Sequence, residues 1–153
     1  MHSGLEKKFP SYFNSFKMPE GAREESIEVH RACKTQKAEE PSFLPSFEEN
    51  SFQVLDGDPE ELGNYSLSTY EKPKHVKRFA ALDGHYQPPW KIAIGRTEPC
   101  CGLAQRTRER EKWRKDSHVD WWLYKNACPH EHFELIEDFS TYLANYELRN
   151  NHE

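Results

Sequence analysis

The sequence predicts a mostly irregular or extended chain that ends in a small α-helical segment, a helical hairpin. Three observations favour this fold class. Hydrophobic residues make up only 35% of the 153 positions, charged residues make up 31%, and clear helical periodicity is confined to the C-terminal third. A chain with few aliphatic side chains buries too little apolar surface to offset the conformational entropy lost on folding. We therefore expect partial order that is completed on a partner.

Three regions follow from this pattern. Residues 1–56 are poor in aliphatics and contain aromatic and proline residues, which favours a disordered or extended segment. Residues 57–104 are rich in turn-forming residues, with at most short β-strands around 65–71 and 91–95. Two strands do not form a stable sheet by themselves. Residues 105–153 are predicted to be helical.

A short repeat distinguishes the first region. Residues 10–16 read PSYFNSF and residues 41–47 read PSFLPSF, so both fit Pro-Ser-aromatic-apolar-x-Ser-Phe. Prolines hold such peptides extended, and paired aromatic side chains suit pockets on a partner surface. The repeat predicts two linked docking peptides, with a coincidence in a Ser-, Phe- and Pro-rich region as the alternative. The predicted anchors are Tyr12, Phe16, Phe43 and Phe47.

The C-terminal region predicts two helices. Residues 107–115 alternate in charge behind Thr107, which suits an N-cap, and residues 117–127 place apolar side chains on one helical face. Pro129 suits the first position of a second helix, in which apolar residues recur at steps of three and four. The two would form a hairpin that bends near Pro129. Its predicted partner-binding surface consists of Trp121, Trp122, Leu135, Ile136, Phe139, Leu143 and Tyr146.

No motif for catalysis or cofactor binding is present. The sequence contains no nucleophile elbow, no phosphate-binding loop and no dinucleotide G-x-G-x-x-G pattern. We therefore predict that the chain is not an enzyme, and we assign no catalytic residue, no cofactor and no metal ligand. The expected partner is a protein or a protein assembly, neither a membrane nor a nucleic acid.

A small zinc-binding domain is the first alternative function. Its ligands would be Cys100, Cys101, Cys128 and either His130 or His132, since zinc prefers four Cys or His ligands. Two arguments weigh against it. Adjacent cysteines direct their thiols awkwardly around one tetrahedral ion, and on an α-helix the two histidines would face different sides.

Nucleic-acid association is the second alternative. The basic segments 72–78 and 106–115 are its candidate contacts. The formal net charge of −5 argues against it, because binding to phosphate backbones needs a basic footprint. A solvated linker and a solvated helix are the simpler interpretations of these two segments.

The sequence also predicts a location. It has no apolar run near the roughly 20 residues of a membrane span, and its N-terminus lacks the apolar core of a secretory signal. Adjacent Cys100 and Cys101 favour reduced thiols, so we expect a cytoplasmic protein, with the nucleus left open. In composition the chain resembles small proteins that line microtubule or ciliary assemblies, which also combine aromatic–proline segments with a brief helix. The scarcity of aliphatic residues, the repeated peptide and the lone amphipathic helix together predict a non-enzymatic structural or adaptor protein that orders on a larger intracellular assembly. The resemblance implies that this assembly is cytoskeletal or ciliary.

Overall fold

The computed structural model describes residues 7–54, 58, 60–82 and 91–150. Its centre is a six-stranded antiparallel sheet. The strands are β1 (Glu28–Cys33), β2 (Leu67–Tyr70), β3 (Lys91–Arg96), β4 (Gly102–Arg106), β5 (His118–Leu123) and β6 (Phe133–Leu135). They lie in the order β4-β5-β2-β1-β3-β6, so β4 and β6 form the two edges. The helices are α1 (Ser46–Glu49), α2 (Pro73–Leu82) and α3 (Phe139–Asn150).

The prediction of a mostly irregular, disordered or coil-rich chain is wrong. Strands β2 and β3 fall within the two stretches for which strands were predicted, but they belong to one large sheet. Large aromatic side chains supply the buried surface that aliphatic residues do not. Trp121 and Trp122 are both fully buried, and each buried aromatic side chain removes about 150–250 Å² of surface from water.

The helical hairpin predicted for the C-terminal region is also wrong. Residues 107–109 form a short 3₁₀ turn, and the stretch read as the rest of the first helix contains β5. Five of the six residues of β5 are buried, because structure covers both faces of the sheet. A strand buried on both faces lacks the alternation by which strands are recognised. For this reason the apolar residues around Trp121 and Trp122 resemble a helical face, although they belong to a strand.

The last helix exists but is shorter than predicted. Residues Phe133–Leu135 form β6, and α3 begins at Phe139. Asp138 caps this helix, since its carboxylate accepts hydrogen bonds from the Thr141 backbone N–H (3.1 Å) and hydroxyl (2.9 Å). Leu135 and Ile136 therefore precede the helix.

Each face of the sheet has its own apolar cluster. One face packs residues of all six strands against Phe43, and its members include Val29, Leu67, Ala93, Ala104, Val119, Trp121 and Phe133. The other face packs Tyr70 and Ile92 against Val76 of α2, with Phe139 of α3 alongside. A third cluster joins Trp122 to the aromatic residues of the N-terminal segment.

The centre of the sheet is held together partly by side chains. Strands β1 and β2 share a single register pair, His30 with Tyr70. Beside it, the buried Arg31 guanidinium donates to the carbonyl oxygens of Ser42 (2.9 Å) and Ser68 (2.8 Å). These bonds satisfy one backbone acceptor of β2 and one of the 3₁₀ turn over Glu40–Ser42, and so attach both to β1.

None of the helices in the described part of the chain has the length and apolar character needed to cross a bilayer.

Candidate metal centre

Two turns at one end of the sheet position a cluster of metal-binding side chains. The first turn leads from β3 to β4 and carries Cys100 and Cys101. The Cys101 N–H donates to the Glu98 carbonyl (2.9 Å), and the Cys101 carbonyl accepts the N–H of Tyr124 (2.7 Å). These bonds fix Cys101 at the start of β4, beside the end of β5.

The second turn leads into β6 and carries His132. It is a 3₁₀ helix over Pro129–His132, with proline at its first position. The N–H of Glu131 donates to the carbonyl of Cys128 (3.2 Å), which closes the turn. His132 is thus held directly before the edge strand β6.

Glycines next to both turns permit the close packing there. A Cβ atom on Gly102 would lie 2.0 Å from the Trp122 carbonyl oxygen, and one on Gly95 would lie 2.4 Å from the His132 carbonyl oxygen. Neither position has room for a side chain. The chain therefore needs glycine immediately after Cys101 and across from β6.

The cluster contains two thiols and one imidazole. The sulfur atoms of Cys100 and Cys101 are 3.7 Å apart. A ring nitrogen of His132 completes a group whose ligand atoms all lie within 4.8 Å of one another. Zinc–sulfur bonds of about 2.3 Å at tetrahedral angles place two sulfurs about 3.8 Å apart. The observed sulfur separation therefore matches that of two zinc ligands.

Burial controls the protonation of the inner thiol. Burial, followed by the hydrogen bond with the Cys100 thiol, raises the pKa of Cys101 to about 12. The Cys101 side chain is therefore a neutral thiol at pH 7. A metal ion that binds here must displace this proton, since the thiolate is the ligand.

The structure selects three of the five residues considered in the sequence. Cys128 is exposed, and its sulfur lies 3.8 Å from the Asn126 carbonyl. His130 packs toward Phe43, with ring centroids 6.4 Å apart. Among the described residues, no fourth Cys, His, Asp or Glu atom joins the 4.8 Å group. His132 belongs to it because the segment is a 3₁₀ turn, a possibility that the α-helical interpretation left out.

The predicted docking peptides contact each other within the fold. Tyr12 lies against Phe47, with ring centroids 4.7 Å apart, and Phe16 stacks on Tyr65 at 4.5 Å. Phe43 is buried against Phe133 at 4.9 Å. The first copy of the repeat forms a 3₁₀ turn over Ser11–Ser15, so it is not extended. Binding of these aromatics to a partner stays a prediction.

The other predicted partner-binding residues are dispersed. Trp121 and Trp122 are fully buried in two different clusters. The side chains of Leu135, Ile136 and Phe139 are partly buried against the two faces of the sheet. Phe139, Leu143 and Tyr146 lie on α3, where all three are half-buried. The seven residues therefore do not form one continuous surface.

A second polar cluster, which the sequence analysis missed, lies inside the fold. The fully buried Asp120 carboxylate pairs with Arg110 (2.8 Å) and accepts hydrogen bonds from the hydroxyls of Ser66 (2.5 Å) and Thr107 (2.7 Å). Nδ1 of His118 lies 2.5 Å from the same Thr107 hydroxyl. Burial lowers the pKa of His118 to about 4. Because the carboxylate and the imidazole are closed off from solvent, the cluster acts as an internal cross-link.

No model of a known protein family, no curated protein and no solved structure matches this chain. The geometry of its own residues is therefore the basis for a function.

Proposed function

We propose that the chain is a non-enzymatic zinc-binding protein in which Cys100, Cys101 and His132 hold one zinc ion. The observation that carries this proposal is the 3.7 Å separation of the two cysteine sulfurs next to a histidine nitrogen. A thiol–thiol hydrogen bond would account for the sulfur pair alone. A zinc ion would also explain why His132, which lies on a separate turn, is close to both sulfur atoms.

The ligand chemistry favours zinc over the common hard cations. Thiolate sulfur and imidazole nitrogen are the ligands of structural and catalytic zinc, whereas calcium and magnesium take oxygen ligands. Three protein ligands leave one position for a fourth donor. Cys128 is the nearest candidate in sequence, four residues before His132, and a water molecule is the other.

The position of the cluster points to a structural role for the metal. Edge strands that are five strand positions apart would be about 24 Å apart in a flat sheet. Here the residues that directly precede β4 and β6 have ligand atoms within 4.8 Å of one another. The sheet is therefore curled, and a zinc ion would connect its two edges, which few backbone hydrogen bonds can join.

We place the protein in the cytoplasm, since thiols stay reduced there and remain available to a metal. A role as a structural or adaptor protein fits a metal that stabilises the fold. Exposed Phe52 (63%), Trp113 (73%) and Leu148 (62%) support contact with a partner.

Metal content of the purified protein tests the proposal. We expect about one zinc per chain by elemental analysis of wild-type protein after dialysis. His132→Gln and Cys101→Ser should each lose most of this zinc. His130→Gln is the matched control, because it removes a histidine of the same turn that lies outside the cluster.

Two further variants complete the design. Cys33→Ala removes a buried cysteine that is outside the 4.8 Å group of ligand atoms, so it should keep the zinc even where it lowers stability. Cys128→Ser loses zinc if a thiol fills the fourth position and keeps it if water does. Equal zinc content in wild type, His132→Gln and Cys101→Ser would refute the proposal.

A further inference from the structure

The fold brings together the two basic segments that the sequence placed 28 residues apart, 72–78 and 106–115. Ser117 joins them. Its carbonyl accepts the N–H of Glu71 (3.1 Å), its hydroxyl accepts the N–H of Lys72 (2.9 Å), and its own N–H donates to Nδ1 of His75 (3.0 Å). The start of α2 is therefore fixed against the end of the connection between β4 and β5.

A groove runs between these two segments. Its cavity volume is about 320 Å³. Three cationic side chains line it, Lys72 from the first segment and Arg108 and Lys115 from the second. Two acidic residues, Glu71 and Asp116, also line the groove, as does Tyr146 of α3.

The acidic residues of the groove are already paired with arginines. Glu71 pairs with Arg106 (2.9 Å) and, at a longer distance, with Arg108 (3.6 Å), and Asp116 pairs with Arg114 (2.7 Å). Their charges are therefore largely compensated inside the protein. The positive charge that remains, chiefly that of Lys72 and Lys115, is available to a ligand from solution.

The surrounding surface carries further positive charge. Residues 71–78 and 106–116 together contain ten basic and four acidic side chains, which leaves eleven basic and twenty-two acidic ones for the rest of the chain. The overall acidity therefore comes from other parts of the sequence. No carboxylate in the described ranges lies within ion-pair distance of the exposed lysines here, Lys72, Lys74, Lys77, Lys112 and Lys115.

The connection that carries Arg108 and Lys115 also exposes a large aromatic ring. Trp113 is 73% exposed and lies between Lys112 and Arg114 in the chain. An aromatic ring next to cationic side chains is the combination that binds single-stranded nucleic acid. The cations contact successive phosphates, and an unpaired base stacks on the ring.

We propose that this groove, formed by the start of α2 and the connection between β4 and β5, binds single-stranded nucleic acid. Lys72, Arg108 and Lys115 contact the phosphates, and a base stacks on Trp113. A duplex hides its bases and gives the tryptophan no partner, and an acidic peptide offers charge without a stacking surface. The proposal is independent of the zinc site, which lies at the other end of β4.

Fluorescence anisotropy with labelled oligonucleotides tests this. The probes are oligo-dT and oligo-U of about 12 nucleotides, within the site sizes of comparable proteins, and a DNA duplex of equal length. We expect both single strands to bind more tightly than the duplex. The logarithm of the affinity should fall with the logarithm of salt concentration with a slope of about −2, since each phosphate neutralised on a single strand contributes about −0.7.

Matched variants separate charge from stacking. Lys72→Glu with Lys115→Glu should weaken binding at least about tenfold and flatten the salt slope by roughly 1.4. The control pair Lys17→Glu with Lys37→Glu makes the same change in net charge at exposed positions elsewhere. Trp113→Ala should weaken binding at least about fivefold. Its control is Phe52→Ala, which removes another exposed aromatic ring.

Equal effects of a variant and its matched control overturn the proposal, as does failure of both single strands to bind at low salt. Duplex binding as tight as single-strand binding overturns the stacking role of Trp113. Tighter binding of a polyglutamate peptide than of either oligonucleotide would assign the groove to an acidic protein instead. Unfolding midpoints of all variants confirm that a loss of binding is not a loss of fold.

Discussion

The buried Asp120 carboxylate offers the sharpest test of what holds the sheet together. It lies on β5 and connects to two other parts of the chain, the turn after β4 through Thr107 and Arg110 and the start of β2 through Ser66. Replacing it with alanine removes the charge partner of Arg110, whose side chain is only 16% exposed. The guanidinium would then lie largely out of water, with only the longer contact to the Glu111 carboxylate (3.5 Å) remaining.

The expected loss follows from this geometry. Breaking a buried ion pair by removing one partner costs about 3–5 kcal/mol. The partial exposure of Arg110 favours the lower end, while the two hydroxyls that lose their acceptor add to the cost. We therefore expect Asp120→Ala to lower the free energy of unfolding by about 3–4 kcal/mol. The two hydroxyls donate to different oxygens of Asp120, so Asp120→Asn keeps the acceptor for one of them, and its loss should be smaller than that of the alanine variant.

Urea denaturation measures this loss. With a slope of about 1.5 kcal/mol per molar urea, a loss of 3 kcal/mol moves the midpoint by about 2 M. The control is Glu49→Ala, which breaks a 2.6 Å pair with Lys34 whose side chains are 29% and 39% exposed. An exposed pair contributes less than about 1 kcal/mol. Equal midpoint shifts for Asp120→Ala and Glu49→Ala, at unchanged slope, would refute the internal cross-link.

Two further predictions concern protonation and backbone packing. Burial lowers the pKa of His118 to about 4, below its ordinary value of 6.5. As pH falls from 6.5 to 4, the unfolded state therefore binds a proton that the folded state does not. Stability should decrease over this range by up to about 3 kcal/mol, and His118→Asn should flatten urea midpoints measured between pH 7 and 4. Gly102→Ala should cost at least about 1–3 kcal/mol, because its Cβ would meet the Trp122 carbonyl oxygen at 2.0 Å. A Cβ atom on Gly63 would have only the Glu61 carboxylate nearby, at 4.0 Å, so Gly63→Ala should be neutral or stabilising by up to about 1 kcal/mol. Thermal unfolding of the two glycine variants compares them directly, and equal midpoints would contradict the packing argument.

Part of the sheet could be predicted from local sequence and part could not. Residues around 65–71 and 91–95 contain the short β-prone runs from which β2 and β3 were expected. Strands β1 and β5 were missed because buried polar residues interrupt them, notably Arg31 and Asp120. Their hydrogen-bonding partners are supplied by distant parts of the chain. A sequence pattern shows that such a residue is polar, but it does not show that the fold supplies buried hydrogen-bonding partners for it.

The candidate sites divide in the same way. The abundance of cysteine and histidine near residues 100 and 130 was visible in the sequence, but the choice of His132 over His130 depends on a 3₁₀ turn. Likewise, each basic segment was visible alone. Their adjacency depends on the register of β2 and β5, which pairs Tyr70 with His118 and so places Lys72 beside Ser117.

The hairpin of β4 and β5 relates the two proposed sites. Its register runs from Gly102 with Leu123 at the open end to Arg106 with Val119 at the closed end. The cysteines lie at the open end and the connection that carries Trp113 lies at the closed end, about 17 Å away along five strand residues. Because β4 is an edge strand whose outer side is covered only by the Arg23–Ala104 bridge among the described residues, it needs a fixation point. A metal at its start supplies one without touching the groove, which is why zinc binding and nucleic-acid binding can fail independently of each other.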